Sequence, residues 1–224
     1  GPRTGEISDF ATFDDFFNAY KEQMNYFIKL LVNADNSIDV AHAERCPLPF
    51  QSCMIDDCIG KGKSLQEGGA IYNFTGPQGF GIANVADSML AIKQLVYDEK
   101  KLTLADFKDA LNNNIGHGFS IQKCTEVTEN IMCKQKEKGQ SVSVEDASRI
   151  CQAVYQSSID HADRARYDEI LKMIADVPKY GNDNEEADLQ AKDVAYTYTK
   201  PLENCRTPRD GIYQAGLYPV SANV

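Results

Sequence analysis

The stretch that decides the fold is GGAIYNFTGPQGFGIANV, residues 68–85, which carries five glycines and a proline among strand-forming residues. Glycine permits tight turns and close backbone approach, so we predict a strand, a tight loop and a second strand. The spacing of Gly76, Gly79 and Gly81 matches neither G-x-G-x-x-G nor G-x-x-x-x-G-K-[ST], and no lysine follows. The stretch is therefore not interpreted as a nucleotide-binding loop.

Helical sequence surrounds this stretch. Apolar residues recur at helical spacing over 12–34, with Thr12 as the N-cap and Asp14 and Asp15 in the first turn. Capping residues, glycines and prolines predict the other helices: 50–59, 85–97, 103 to before 116, 120–138, one opening at 143, one ending before 178, and one reaching Lys200-Pro201. Residues 211–224 predict a final strand. We predict an α/β chain forming a single domain over residues 1–224.

Composition limits the classes of partner. The chain has 224 residues, with 23 Lys+Arg against 33 Asp+Glu, for a formal net charge of −10. Nucleic-acid binding needs a basic face, so this balance argues against it. No apolar run approaches the ~20 residues of a membrane span, and residues 1–3 lack the character of a signal peptide. We expect a soluble, cytoplasmic protein with neither a nucleic-acid nor a membrane partner.

The cysteines and histidines predict no metal site. Seven cysteines form no C-x-x-C pair, and His42, His117 and His161 lie far apart. Free thiols in a reducing compartment fit this pattern, and Cys58, among aliphatic residues, is predicted to be a small buried hydrophobe. A Cys–His nucleophile pair is compatible with the spacing, because such partners meet only in the fold, but no residue favours it. Glu67 stands out because two glycines follow it, although exposure is the commoner state for glutamate.

Residues 58–88, CIGKGKSLQEGGAIYNFTGPQGFGIANVADS, closely resemble the glycyl radical enzymes. The resemblance is to the branch that holds the cobalamin-independent glycerol and propanediol dehydratases, choline trimethylamine-lyase and the arylacetate decarboxylases. Three further stretches agree in order: RTG at 3–5, PKYGND at 178–183 and YQAGLYPVSANV at 213–224. Four ordered motifs make coincidence a poor explanation.

The resemblance implies a fold, and it implies that the radical-bearing residues of the family are absent from this sequence. Such enzymes fold as a ten-stranded barrel wrapped in helices, in which one finger loop carries a thiyl cysteine (Gly-Cys-x-Glu) and another a radical glycine (Arg-Val-x-Gly-Tyr). The present sequence has neither motif. We therefore expect a helix-rich fragment from the middle-to-late part of that barrel, with residues 115–177 as a helical insertion. It should contain no catalytic residue and be inactive alone.

The resemblance also implies a pocket wall. It places Tyr218 and Val220 against the substrate, with Glu67 and Asn73 as secondary candidates. A phenol can orient a diol through one hydroxyl above an apolar ring. We therefore expect part of a lyase that dehydrates 1,2-propanediol or glycerol. The alternatives are a choline trimethylamine-lyase, an arylacetate decarboxylase using Glu67, or a non-catalytic binding or assembly module.

The cofactor and partners expected from the resemblance belong to a longer parent protein. No cofactor would be bound. A glycyl radical would be installed in the parent by a radical S-adenosylmethionine activating enzyme. The other expected partners are a small-molecule substrate and further copies of the parent, in the cytoplasm or in a bacterial microcompartment.

Overall fold

A computed structural model of the chain describes residues 1–113, 115, 133, 134, 136, 143–147, 149, 150 and 161–218. The fold is helix-rich, with a few short strands, as predicted. The chain divides into two compact units, Gly1–Leu90 with Lys179–Val224, and Ala91–Pro178. The single domain over 1–224 and the insertion over 115–177 stay predictions. The helix predicted over 120–138 lies outside the described residues, apart from isolated positions.

The longest helix, α1 (Phe13–Arg45), begins where the sequence predicted and ends later. The Thr12 hydroxyl accepts a hydrogen bond from the Asp15 amide, and the Asp15 carboxylate accepts one from the Thr12 amide, which forms a capping box. We expected the helix to end near Ala34, where the apolar pattern fades. It continues because no glycine or proline intervenes before Pro47.

Two short helices replace the single helix predicted over 50–59. They are α2 (Pro49–Cys53) and α3 (Cys58–Lys61). The break comes at Asp57, whose φ of 77° is left-handed and incompatible with a continuous helix. Cys58 is 2% exposed, which confirms its predicted burial.

The remaining regular elements follow in chain order. The helix expected over 85–97 is instead α4 (Ile82–Ile92) followed by a π-helix (Lys93–Asp98). The capping box at Thr103 and Asp106 opens α5 as predicted. The other helices are α5 (Leu104–Asn112), α6 (His161–Asp176), α7 (Glu185–Glu203) and two 3-10 turns (Ile7–Asp9, Leu65–Glu67).

The end predicted for α7 at Lys200-Pro201 is wrong. Pro201 lies inside the helix, in its last turn, where a missing N–H removes a single hydrogen bond.

Within the second unit, the Ser143 hydroxyl accepts a hydrogen bond from the Asp146 amide, and residues 144–147 are helical, as expected there. The same unit buries Ala110 of α5 against Tyr167 and Ile170 of α6.

Four two-residue strands lie in the first unit. They are β1 (Phe74–Thr75), β2 (Gln78–Gly79), β3 (Ile212–Tyr213) and β4 (Gly216–Leu217). Strand β1 pairs in parallel with β3, and β2 pairs in parallel with β4. The predicted strand, loop and strand over 68–85 therefore do not pair with each other. Both pair with the C-terminal segment.

The core of the first unit is formed mainly by α1 and α7. Phe17 of α1 is buried with Ala86 and Met89 of α4 and with Ala191 and Val194 of α7. A second cluster joins these two helices to the strands: Ile28, Tyr198, Leu202 and Tyr213. Among the described residues, none of the helices combines the length and the hydropathy of a membrane-spanning segment.

Leu202 and Leu189 test this core as a matched pair on α7. Leu202 is fully buried and Leu189 is 50% exposed. We expect Leu202→Ala to lower the free energy of unfolding by about 2–5 kcal/mol, because it leaves a cavity. Leu189→Ala should cost less than about 1 kcal/mol. Urea denaturation of the two variants measures both, and equal losses would contradict this description of the core.

Candidate functional site

The strands belong to one continuous parallel ladder. Four backbone amides of residues 212–218 donate to carbonyls of residues 73–79, with the same sequence offset each time. The pairs are Ile212 to Asn73 (3.2 Å), Gln214 to Thr75 (2.9 Å), Gly216 to Pro77 (3.0 Å) and Tyr218 to Gly79 (3.1 Å). A constant offset means that the register does not slip between the short strands. Residues 73–80 and 211–218 are called the strand ladder below.

Pro77 explains why the ladder is divided into short strands. In a regular parallel ladder, the amide of residue 77 would donate to the carbonyl of Gln214. Proline has no N–H, so that bond is missing while its own carbonyl still accepts from Gly216. The extended path therefore continues through the interruption.

Side chains alternate between the two faces of the ladder. One face, the covered face, packs on α1 and α7, where Tyr213 is buried at 3% exposure beside Ile28 and Leu202. Gly79 lies directly on the ring of Tyr198, and a Cβ at Gly79 would come within 2.8 Å of that ring. The covered face is therefore closely packed at Tyr213 and Gly79, while Leu217, on the same face at the end of the ladder, is 50% exposed.

The opposite face, the open face, is exposed and uncharged. Its members come from both strands: Phe74, Gly76, Gln78, Phe80, Ile212, Gln214, Gly216 and Tyr218. Its four large apolar side chains are each about half exposed: Phe74 (54%), Phe80 (57%), Ile212 (49%) and Tyr218 (48%). Parallel sheets are normally buried on both faces, so this face has the composition of a surface that something else covers.

Tyr218, the principal site residue expected from the sequence, lies on the open face. Its ring meets that of Phe80 edge to face, with centroids 5.5 Å apart and planes at 69°. Aromatic rings favour this arrangement, so the contact restrains the direction of the phenol. The assignment of Tyr218 to substrate binding stays a prediction, and Val220 lies outside the described residues.

The structure does not bring Asn73 to Tyr218. Asn73 lies at the far end of the ladder and on the covered face. Its side-chain amide donates to the carbonyls of Gly68 (3.3 Å) and Ala70 (3.0 Å). The Oδ1 of Asn73 is buried without a hydrogen-bond partner among the described residues. These contacts hold the loop before the ladder.

Glu67 is exposed and lies outside the ladder. Its carboxylate accepts hydrogen bonds from the amide and the hydroxyl of Ser64, both at 2.9 Å. The backbone hydrogen bond, followed by the side-chain one, lowers the pKa of Glu67. Both bonds belong to a capping box that opens a 3-10 turn.

Sequence reasoning missed two residues that share the open face with Tyr218: Phe80, whose ring contacts that of Tyr218, and Gln78, which pairs with Gly216. The alternation from Phe74 to Phe80 indicates which residues share a face of their own strand. It does not indicate which residues of the C-terminal segment lie beside them. Only the register of the ladder supplies that information.

A polar cluster ties the covered face to α1. The Tyr213 hydroxyl donates to Asn36 Oδ1 at 2.9 Å. Arg209 donates through Nε to Asp39 at 3.0 Å, with both side chains 19% exposed, and through Nη2 to the Thr75 hydroxyl at 3.2 Å. These long-range bonds connect both strands of the ladder to one helix.

Burial dominates the electrostatics of this cluster. Desolvation, followed by the charges of Asp35 and Asp39, raises the pKa of Tyr213 to about 12. Desolvation and then Asp39 also raise the pKa of Asp35. The described residues contain no group of three or more His, Cys, Asp or Glu side chains placed to hold a metal ion.

Comparison with known proteins identifies the family. The chain matches the pyruvate formate lyase-like family over residues 1–224. It resembles the Roseburia inulinivorans structure described for 1,2-propanediol dehydration (51% identity, TM-score 0.82, covering 99% of this chain and 26% of that one). It also resembles the glycerol-bound form of the B12-independent glycerol dehydratase from Clostridium butyricum (40% identity, TM-score 0.73, covering 100% and 22%).

A curated relative extends this comparison. The (2S)-3-sulfopropanediol dehydratase of Klebsiella oxytoca is 31% identical over 225 residues, which cover 100% of this chain and 21% of the relative. The chain thus spans between 21% and 26% of these three proteins. It belongs to the pyruvate formate lyase-like family of glycyl radical enzymes, which confirms the family expected from residues 58–88.

The burial of Tyr213 on the covered face can be tested by measuring how the stability of the protein changes at alkaline pH. The raised pKa of Tyr213 means that the folded state keeps a proton that the unfolded chain releases at pH ~10. The stabilisation is complete below pH ~10 and is lost as pH rises towards about 12. We expect the urea midpoint to fall more steeply with pH in the wild type than in Tyr213→Phe.

Tyr72→Phe serves as the matched control, because Tyr72 is 85% exposed. The urea midpoint of Tyr72→Phe should fall with pH as steeply as that of the wild type. The measurement is the urea midpoint at several pH values between about 9 and about 11, on either side of the ordinary tyrosine pKa. Identical slopes for wild type and Tyr213→Phe would contradict the role given to Tyr213.

Proposed function

We propose that the chain forms part of the substrate-cavity wall of a longer glycyl radical enzyme that removes water from a small vicinal diol, 1,2-propanediol or glycerol. The observation that carries this proposal is the open face of the strand ladder, which presents the Tyr218 phenol among apolar side chains. The resemblance to the Roseburia inulinivorans structure described for 1,2-propanediol dehydration and to the glycerol-bound glycerol dehydratase supports the substrate class.

The proposal treats the ladder as two neighbouring strands of a ten-stranded barrel. Two parallel strands with helices on one face need a cover on the other, because parallel sheets are stable when both faces are buried. A barrel would supply that cover by bringing the remaining strands and the substrate opposite the open face. In this arrangement, α1 and α7 form part of the outer layer.

Tyr218 would orient the diol through its hydroxyl, with the ring of Phe80 holding the phenol in place. Val220 is proposed to continue the same wall. The radical groups would come from outside these residues, on a Gly-Cys-x-Glu loop and an Arg-Val-x-Gly-Tyr loop. A hydrogen-abstracting radical must lie within near-contact distance of its substrate, so the chain alone would be inactive.

The charge of the open face favours a neutral diol. Its eight residues include no Lys, Arg or His, so it offers no cation to a sulfonate such as that of (2S)-3-sulfopropanediol. An arylacetate decarboxylase would instead use Glu67. Both hydrogen bonds of that carboxylate go to Ser64, which favours a capping role.

The remaining parts of the proposal concern the whole enzyme. A radical S-adenosylmethionine activating enzyme would install the glycyl radical, and copies of the full-length enzyme would associate. The choline trimethylamine-lyase alternative depends on residues outside this chain.

Tyr218→Phe in the full-length, activated enzyme tests the substrate contact. Loss of one hydrogen bond to the substrate should lower kcat/KM for 1,2-propanediol or glycerol by about tenfold. Tyr26→Phe is the control, since Tyr26 is an exposed tyrosine of α1. Unchanged kinetics in Tyr218→Phe, with normal radical content, would remove Tyr218 from the site.

The association state of the isolated chain tests whether the open face is normally covered by the rest of a barrel or is a stable, solvent-exposed surface. An uncovered apolar face should drive self-association that rises with concentration in sedimentation velocity. Replacing Phe74 and Ile212, each about half exposed, with lysine should weaken that association. A stable wild-type monomer at all concentrations would favour the alternative of an independent binding module.

A further inference from the structure

We infer that Gln78 binds a substrate hydroxyl beside Tyr218. This inference rests on the proposed function and deepens it by naming a second polar contact. Gln78 pairs with Gly216 in the register of β2 and β4, and Phe80 and Tyr218 follow two residues later on the same face. The Gln78 carboxamide lies over Gly216. Tyr218 is two residues further along the same strand as Gly216, and residues two apart on a strand are separated by roughly 6.6 Å, which places the carboxamide and the phenol next to each other on the open face.

The Gln78 side chain is held in place by its surroundings. Its Nε2 donates to the carbonyl of Gly76 at 3.1 Å. Its carboxamide lies over Gly216, so close that a Cβ on residue 216 would clash with its Oε1, Nε2 and Cδ atoms. Glycine at 216 is therefore required for the carboxamide to rest flat across the ladder. The backbone bond restrains the amide before any ligand arrives, which reduces the entropy cost of binding.

The carboxamide retains hydrogen-bonding capacity for a ligand. A glutamine amide can donate two hydrogen bonds and accept two, and the bond to Gly76 uses one donor. The side chain is exposed on the open face. It can therefore pair with a hydroxyl group, which both donates and accepts.

The surroundings define the class of ligand. The open face contains two carboxamides and one phenol but no charged group, and its other side chains are apolar or absent. A phenol and a carboxamide on neighbouring positions suit a small neutral molecule with hydroxyl groups on adjacent carbons. Such a molecule can engage both groups while its carbon atoms contact Phe80.

The test uses the full-length enzyme and glycerol as the probe. Gln78→Met keeps the shape of the side chain and removes the carboxamide. We expect glycerol binding before activation to weaken about tenfold, the effect of losing one hydrogen bond. After activation, KM should rise by a similar factor, with little change in kcat or in glycyl radical content. Gln51→Met, at an exposed position of α2, should leave binding unchanged.

Gly216→Ala provides a second route to the same conclusion. Its Cβ would displace the Gln78 carboxamide, so glycerol binding should weaken without any change to Gln78 itself. Gly60→Ala is the control, because its Cβ would meet only the side chain of Asp57, at 3.3 Å. If Gln78→Met fails to fold, Gly216→Ala decides the question.

Two negative outcomes separate the inference from the proposed function. If the wild type binds and dehydrates a diol while Gln78→Met or folded Gly216→Ala binds glycerol within twofold of it, Gln78 is not a substrate ligand. If the wild-type enzyme binds and dehydrates neither diol, the proposed function and the inference are both rejected.

Discussion

The parallel hydrogen-bond ladder between residues 73–79 and 212–218 is the constraint on which the rest of the first unit depends. It joins segments that lie far apart in sequence, so its formation requires closing a long loop. Burial of Tyr213 and the bonds of Arg209 to Asp39 and Thr75 offset that cost. A slip of one residue would exchange the two faces and place Tyr213 in the open.

Steric contacts protect this register. Gly79 lies on the ring of Tyr198, and Gly211 lies on the carbonyl of Asn73, so neither position has room for a side chain. A shifted register would bring larger residues to these contacts. Within residues 68–85, Gly68, Gly69 and Gly79 are thus explained by close packing, against the backbone of Arg209 and of Lys63 and against the ring of Tyr198. A phosphate ligand is not needed to explain them.

Local signals in the sequence were sufficient for much of the helical structure. The starts of α1 at Thr12 and of α5 at Thr103 depend on side chains three residues apart. The N-cap at Thr12 and the capping box at Thr103 were predicted correctly, whereas the capping box that Thr12 forms with Asp15 was not predicted. The division at Asp57 and the passage of α7 through Pro201 were not predicted. The first depends on a left-handed φ at a residue other than glycine, and the second on the small cost of one missing hydrogen bond in the last turn of a helix. The placement of Gln78 beside Gly216, on the same face as Tyr218, could not be predicted, because it depends on a pairing between distant segments.

The two faces of the ladder are coupled by their common backbone. Tyr213 and Tyr218 are five residues apart, one pointing into the helical core and the other onto the open face. Because Tyr213 is bonded to Asn36 of α1, the position of Tyr218 is set by contacts on the side of the sheet that a substrate would never touch. A precisely placed binding group needs rigid support, and the role proposed for Tyr218 would draw that support from the partly buried polar cluster on the covered face. The hydrogen bonds of Tyr213 and Arg209 to α1 therefore help to fix the backbone from which the side chains of the open face project.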